Sequence, residues 1–497
     1  MSLLSFIAKS IARITSGKVQ REALKADELQ QLLFKKLIAS ATNTQFGKEH
    51  HFSSIAAYSD FKKFVPIRDY EALKPWIEKI ILGRENILWP GLPKYMSKTS
   101  GTTSGVKYIP ITQASIPNHI DSTRRAMLCY IAETGKADFL TGKLIFISGS
   151  PALEGINGIK TGRLSGIVNH HVPGYLKVNQ LPSWETNCIE DFETKIAHIV
   201  DETIHKNMTM ISGIPPWVQM YFDKLIQRSN KSISELYPNF SLFIYGGVNF
   251  EPYRKKFEQT IGRKIDSIEL YPASEGFIAF QDSQQRNDLL LNINSGIFFE
   301  FVVAEDYFKP NPNRIALPDV VPGVNYAIII STNAGLWAYS LGDTVKFTSK
   351  RPYRLVVTGR IKHFISAFGE HVIAEEVEQA MVAACNATQA QVVEFTVAPQ
   401  VAPVQGLPFH EWIIAFAVKP NDEALFASII DQQMQQLNIY YRDLIAGGVL
   451  QPAIITQLHA SAFINYMRSQ GKLGGQNKVP RLSNDRTIAD GIIASNK

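Results

Sequence analysis

Hydrophobic positions change their period several times along the chain, and each change predicts a different element. Up to about residue 92 the apolar residues recur at helical spacing between polar loops, which predicts helices. The first, over residues 1–18, reads as an amphipathic helix packed on the body of the protein, with Lys9 and Arg13 on its polar side. Residues 113–134 carry helical periodicity again. Three short apolar runs then end in glycine: 144–149 (LIFISG), 208–213 (MTMISG) and 242–247 (LFIYGG). Runs this short, without alternation, suit strands buried on both faces. Helices at 216–227 and 252–261 follow the second and third runs, and 265–270 reads as the next strand. Strands alternating with helices predict a mostly parallel sheet flanked by helices.

From residue 297 the pattern shifts to strand-like segments with short turns: 298–303, 326–331, 336–339, 344–347 and 354–357. These predict an antiparallel β subdomain. Thr358-Gly359-Arg360 is a hinge candidate. Beyond it, a helix at 374–387, strands at 391–397 and 412–418 and a helix at 422–436 predict a compact α+β unit. The expected fold class is α/β. A large N-terminal domain, 1–358, combines mostly parallel sheets flanked by helices with the β subdomain, and a smaller, mobile α+β C-terminal domain spans 359–497. A length of 497 residues itself predicts more than one core.

Composition narrows the classes of partner. With 45% hydrophobic and 19% charged residues the chain reads as globular. The formal charge of +6 comes without any dense Lys/Arg block, so no nucleic-acid partner is expected. No apolar run reaches ~18 residues, so neither a membrane span nor a membrane partner is expected. Lys9 interrupts the N-terminal apolar stretch and no small-residue cleavage site follows, which argues against a signal peptide. Cys129, Cys188 and Cys385 are scattered and odd in number; they suit a reducing, cytoplasmic setting and neither a disulfide framework nor a zinc site.

Candidate chemistry concentrates at 97–112, SKTSGTTSGVKYIPIT. Ser100, Thr102, Thr103 and Ser104 interleave with Gly101 and Gly105. Glycine lets the backbone approach an anion and each hydroxyl adds a donor, so the stretch suits a polyphosphate. An ordinary Ser/Thr/Gly loop is the competing reading. It is not a Walker A loop, since Val106 separates Lys107 from Gly105, and no G-x-S-x-G elbow is present.

Four clusters follow. Gly246 and Gly247 close a strand at the carboxyl edge, where a parallel sheet places ligands, and would admit a flat base or form a plain turn. In 271–276, YPASEG, Tyr271 is placed to stack on a base, Ser274 to donate to a phosphate and Glu275 to hold Mg²⁺; a surface glutamate beside a turn competes. Asp343, in YSLGDT, sits in an expected tight turn between strands. It would accept from a ribose diol, or cap its own backbone. Arg360 lies at the hinge, and Lys478 in a polar, Gly-rich segment that would carry it into a site or leave it solvated. Arg124 and Arg125 on the helix after the first loop would face an acyl carboxylate or solvent.

In this order the motifs resemble those of the adenylate-forming enzymes, and within that superfamily the GH3 family of acyl acid amido synthetases. SKTSGTTSGVKY resembles the GH3 phosphate loop, without the Pro-Lys-Gly ending usual in acyl-CoA ligases. IYGGVNFEPY and LYPASEG resemble the adenine-side motifs, and YSLGDTV the Tyr-x-x-Gly-Asp motif. TGRIKHFISAFGEHVIAEEVE resembles the hinge and first helix of a swivelling domain, and NKVPR the terminal lysine motif. The resemblance implies that Ser100, Gly101, Thr102 and Thr103 bind the phosphates of ATP. It places Gly246, Gly247, Tyr271 and Ser274 around the nucleotide, Glu275 on Mg²⁺, and Asp343 and Arg360 on the ribose. Lys362 would occupy the pivot, and Lys478 would approach the α-phosphate, with Thr103 and Glu275 sharing the catalytic role. Two positions depart from the pattern. No second lysine follows Lys107, and Ser274 stands where the superfamily often has Thr.

The implied reaction adenylates a small carboxylic acid and passes the acyl group to the amine of an amino acid, with ATP and Mg²⁺ required. An acyl-CoA ligase sharing the first step, and a non-catalytic ATP-binding protein, are the alternatives. Neither the acid nor the amine is named by these motifs.

Overall fold

The computed structural model describes residues 3–100, 106–248, 250–361, 365, 367, 368, 370, 372–474 and 477–496. Its main sheet has twelve strands among the described residues. In chain order the strands are β1 (Tyr95–Ser100), β2 (Val106–Ile111), β3 (Lys143–Phe146), β4 (Glu154–Ile156), β5 (Ile159–Gly162), β6 (Gln180–Leu181), β7 (Met208–Ser212), β8 (Leu242–Gly246), β9 (Asp266–Ala273) and β10 (Gly276–Phe280). There follow β11 (Leu289–Leu291), β12 (Ile297–Val303), β13 (Arg314–Ala316), β14 (Asn325–Thr332), β15 (Tyr339–Lys350), β16 (Tyr353–Arg360), β17 (Gln391–Gln400), β18 (Phe409–Val418) and β19 (Ile454–Leu458).

One half of the main sheet, β9-β8-β7-β3-β6, is parallel throughout. Its central strands are the glycine-terminated apolar runs. Leu242, Phe243 and Ile244 are buried, as are Met208, Met210 and Ile211, with no alternation of buried and exposed positions. Burying one such side chain contributes roughly 1.5–3 kcal/mol, so these strands need no alternation to hold their place. The antiparallel strands from β10 onward join this half edge to edge through β10 and β11, in the order β13-β12-β14-β15-β16-β11-β10. They do not stand apart. A four-stranded sheet, β2-β1-β5-β4, carries the Ser/Thr/Gly stretch.

The helix Ile116–Thr134 shows why local signals set its limits. Thr112 and Ser115 exchange side-chain and backbone hydrogen bonds ahead of it, proline occupies its first turn, and Gly135 at φ +68° ends it. Its inner face packs on the first helix, Leu3–Leu24, through Ala126, Cys129 and Tyr130 against Ala8, Ala12, Val19 and Ala23. Small residues on that first helix allow the two backbones to approach closely.

The chain divides into two compact units. The first comprises 1–214, 224–247 and 265–356; the second comprises 215–223, 248–264 and 357–497. Within the second unit, the sheet β17-β18-β19 packs against the helices Ala374–Thr388 and Glu423–Leu437 around Val377, Met381, Phe395, Trp412, Phe426 and Met434. The helix Glu251–Ile261 clusters with this unit through β17. No helix among the described residues is long and apolar enough to cross a membrane. Cys129, Cys188 and Cys385 are all free thiols.

Candidate active site

Strand pairing brings the Ser/Thr/Gly stretch to a defined edge. β1 and β2 are antiparallel from Tyr95↔Ile111 to Ser100↔Val106, so Ser100 is the last residue of β1. Gly101, Thr102 and Thr103, assigned to phosphates, lie outside the described residues, as does Lys362. Behind this edge the Tyr70 hydroxyl accepts from the Tyr108 N–H at 2.9 Å, and Lys107 Nζ lies 5.4 Å from the Tyr70 ring centre.

The decisive contact is made three residues before Ser100. Ser97 Oγ donates to Ser274 Oγ at 3.2 Å, and both side chains are buried. This joins β1 to the turn of the β9–β10 hairpin, where Ala273 pairs with Gly276 and Ser274-Glu275 form the turn itself. Glu275 is half-buried in that turn and accepts from the Tyr339 hydroxyl at 3.2 Å. Burial first, then the Glu275 charge, holds the Tyr339 phenol well above its ordinary pKa, so it remains a proton donor. On the neighbouring position of β9, Tyr271 Oη donates to Asp343 Oδ2 at 2.7 Å, with both residues buried. Three segments far apart in sequence therefore meet: β1, the β9–β10 turn and the start of β15.

Asp343 is not in a turn between strands, as expected from Gly342-Asp343. β15 runs unbroken from Tyr339 to Lys350. Its pairing with β14 shifts between Ala327↔Thr344 and Ile329↔Ser340, so residues 341–343 form a bulge, with Gly342 at φ +83° taking up the extra length. The bulge re-aims Asp343 towards Tyr271. Sequence alone does not distinguish a Gly-Asp bulge from a Gly-Asp turn.

Gly246 pairs with Leu270 in the parallel β8–β9 ladder, beside Tyr271. A Cβ on Gly246 would lie 2.5 Å from the Leu270 carbonyl oxygen, and Gly247 takes φ +86°. Both glycines thus have backbone reasons to be there.

The helix Ile116–Thr134 meets this corner through a residue that the motif reading passed over. The β9–β10 ladder shifts register between Phe277 and Ala279. Asn118 serves the bulged backbone, accepting from the Phe277 N–H at 2.7 Å and donating to its carbonyl at 3.3 Å; Asn292 donates to the same carbonyl at 3.2 Å. The available signal was a polar residue at a buried helical position. His119 beside it is buried with Nδ1 unpartnered, and burial lowers its pKa to about 4. Arg125 donates instead to Glu22 of the first helix at 3.0 Å, and exposed Arg124 pairs with Asp121 of its own helix at 2.9 Å.

The remaining candidates belong to the second unit. Arg360 is the final residue of β16, just after Gly359 at φ +146°. Lys478 precedes a tightly held segment. Val479 is buried in a core with Ala398, Ile413 and Phe463; Thr396 Oγ1 donates to the Pro480 carbonyl at 2.7 Å; and the Val397 N–H donates to the Arg481 carbonyl at 2.9 Å. The buried Arg481 guanidinium pairs with Glu378 and Glu394 and donates to the Tyr253 hydroxyl. Lys478 is thereby anchored on its C-terminal side.

No group of three or more His, Cys, Asp or Glu able to hold a metal occurs among the described residues. A single carboxylate, Glu275, in the turn joined to β1 fits a Mg²⁺ that takes its other oxygens from phosphates and water.

Comparison with known proteins bears on family and fold. The GH3 family N-terminal domain matches residues 16–170, the central domain 290–360 and the C-terminal domain 375–487. Jasmonoyl-L-amino acid synthetase JAR4 of Nicotiana attenuata is 23% identical over 398 residues, covering 67% of this chain and 66% of that relative. Indole-3-acetic acid-amido synthetase GH3.3 of Arabidopsis thaliana is 19% identical, covering 92% and 89%. Among solved structures, the GH3.15 acyl acid amido synthetase in complex with 2,4-DB superposes with a TM-score of 0.79 at 14% identity, covering 98% of this chain and 96% of the other. A 2-hydroxyisobutyryl-CoA ligase in the postadenylation state gives 0.59 at 12% identity, covering 96% and 91%. At such identities the superpositions speak for the fold. The three domain matches together take in well over half of the sequence: the chain belongs to the GH3 family.

Proposed function

We propose that this GH3 protein is an ATP-dependent acyl acid amido synthetase. The observation that carries the reading is the convergence of Ser97–Ser274, Tyr339–Glu275 and Tyr271–Asp343 at one edge of the first unit. The reactions named for the two amido synthetase relatives support it.

A carboxylate is a poor acylating agent because its leaving group would be oxide. A carboxylate oxygen attacks the α-phosphorus of ATP, the bond from that phosphorus to the bridging oxygen breaks, and pyrophosphate leaves. The neutral amine of an amino acid then attacks the acyl carbon; AMP departs with the bonding electrons and the amine loses a proton. Such chemistry rests on positioning and charge neutralisation. The stretch 100–103 cradles the phosphates. Glu275, oriented by Tyr339, supplies the protein oxygen for Mg²⁺, which when bound neutralises phosphate charge. Asp343, held by Tyr271, takes the ribose with Arg360, and Lys478 faces the α-phosphate. The domain from residue 359 swings between the steps and withdraws Lys478. The setting is cytoplasmic, and nucleic acid is not a partner.

The test is carboxylate-dependent ATP–pyrophosphate exchange, followed by product analysis with mixed amino acids or with CoA. Lys478→Ala should abolish exchange yet spare amide formation from a supplied acyl adenylate; equal loss of both would refute the swing. The fold shared with the CoA ligase keeps one second reading, thioester formation, which a CoA product without amide would establish. ATP binding without exchange would leave only a nucleotide-binding protein.

A further inference from the structure

The first helix has two faces with different fates. Ala8, Ala12, Val19 and Ala23 pack inward on the helix Ile116–Thr134. On the outward side four large apolar side chains stay in water: Phe6 is 64% exposed, Ile7 46%, Ile11 49% and Ile14 73%. Ile7, Ile11 and Ile14 recur at i, i+4 and i+7, so they form one stripe, with Phe6 beside its first turn. Scattered exposed apolar residues need no explanation, but a contiguous stripe of this size does.

The charges that the helix itself carries before its last turn are of one sign, although Asp138 and Asp282 of the body accept hydrogen bonds from its Ser5 and Gln20. Lys9, Arg13, Lys18, Arg21 and Lys25 punctuate the helix and its end, while no Asp or Glu occurs in the first 21 residues. The first acidic residue, Glu22, is turned towards the body of the protein, where Arg125 and Asn294 hold it at 3.0 Å each. Lys18 reaches it only at 3.9 Å.

We propose that this face docks on an anionic lipid surface, the helix lying in the plane of the interface. A bilayer boundary suits both features of the face: an apolar layer takes Phe6, Ile7, Ile11 and Ile14, and an anionic headgroup layer attracts the helix's net positive charge. A second copy of the chain is a poor occupant. An isologous contact would set this basic helix against itself, with like charges opposed. The absence of an ~18-residue apolar run bears on spanning a bilayer and not on lying upon one, which requires only a stripe. Docking is independent of the proposed activity, because none of these side chains belongs to the site.

The test is co-flotation of the full chain with vesicles of phosphatidylcholine alone or mixed with phosphatidylglycerol. Binding to the mixed vesicles, at least tenfold weaker with the neutral ones and weakened by salt, is expected. The double variant Ile11→Asp/Ile14→Asp should lose at least tenfold in binding while its melting temperature holds, since both side chains are exposed. Arg13→Glu should weaken binding and leave the fold intact. Failure to float with mixed vesicles, or undiminished flotation of the Ile11→Asp/Ile14→Asp variant, overturns the proposal. So does concentration-dependent dimerisation, or capture of an acidic protein, that this variant abolishes while vesicle binding is absent.

Discussion

Replacing Tyr271 by Phe removes one oxygen atom from the middle of the proposed nucleotide site. That oxygen donates at 2.7 Å to Asp343, and both residues are under a tenth exposed, so solvent screens the interaction little. A hydrogen bond to a charged group contributes roughly 1.5–3 kcal/mol, and Tyr271→Phe removes it without creating a large cavity. The same energy holds the carboxylate in its bulge. If Asp343 engages the ribose from that position, Tyr271→Phe should weaken ATP binding by about ten- to a hundredfold, since 1.4 kcal/mol is a factor of ten. Titration calorimetry with ATP and with 2′,3′-dideoxy-ATP separates the ribose contribution from the rest. Wild-type protein should prefer ATP; Asp343→Asn and Tyr271→Phe should each shrink that preference. The double variant should lose little beyond the worse single one, giving a coupling of at least ~1 kcal/mol between contacting residues. Additive losses, or an unchanged ribose preference in Tyr271→Phe, would refute the reasoning.

Three further outcomes follow from other parts of the molecule. Gly246→Ala drives a methyl group against the Leu270 carbonyl, so overpacking should destabilise the first unit by about 1–3 kcal/mol in urea denaturation. His119 has a folded pKa lowered to about 4 against an ordinary 6.5, so the unfolded chain binds the proton first as pH falls. Stability from this group is complete above pH 6.5 and is lost towards pH 4, by roughly 3 kcal/mol; His119→Leu should flatten that limb of the stability–pH curve. Arg481→Met leaves buried Glu378 and half-buried Glu394 without their cation and should cost the second unit roughly 3–5 kcal/mol, part of it recovered by adding Glu394→Gln.

Local pattern determined much of this protein. The runs LIFIS, MTMIS and LFIYGG underlie β3, β7 and β8 because a short, mostly apolar segment is best satisfied where both faces are covered. The helix Ala374–Thr388 and strands β17 and β18 likewise follow periodicities written within a few residues. Tyr271, Ser274, Glu275 and Asp343 were legible as candidates from residue type and order. Their pairing was not. Ser97 meets Ser274 across 177 positions and Tyr271 meets Asp343 across 72, and no periodicity reports which distant segments share an edge. Asn118 escaped notice because its partners, the N–H and carbonyl of Phe277, are exposed only by a register shift in the β9–β10 ladder. The bulge at Gly342 depends equally on the partner strand, since 341–343 have no turn to make until β14 lies alongside. The helix Glu251–Ile261 shows the same division: its amphipathic spacing prescribes a helix with one buried face, and only the folded chain decides that β17 covers it. Periodicity sets what each segment becomes, because it acts over one or two turns; packing sets what each segment meets, because burial is a property of the whole assembly of elements.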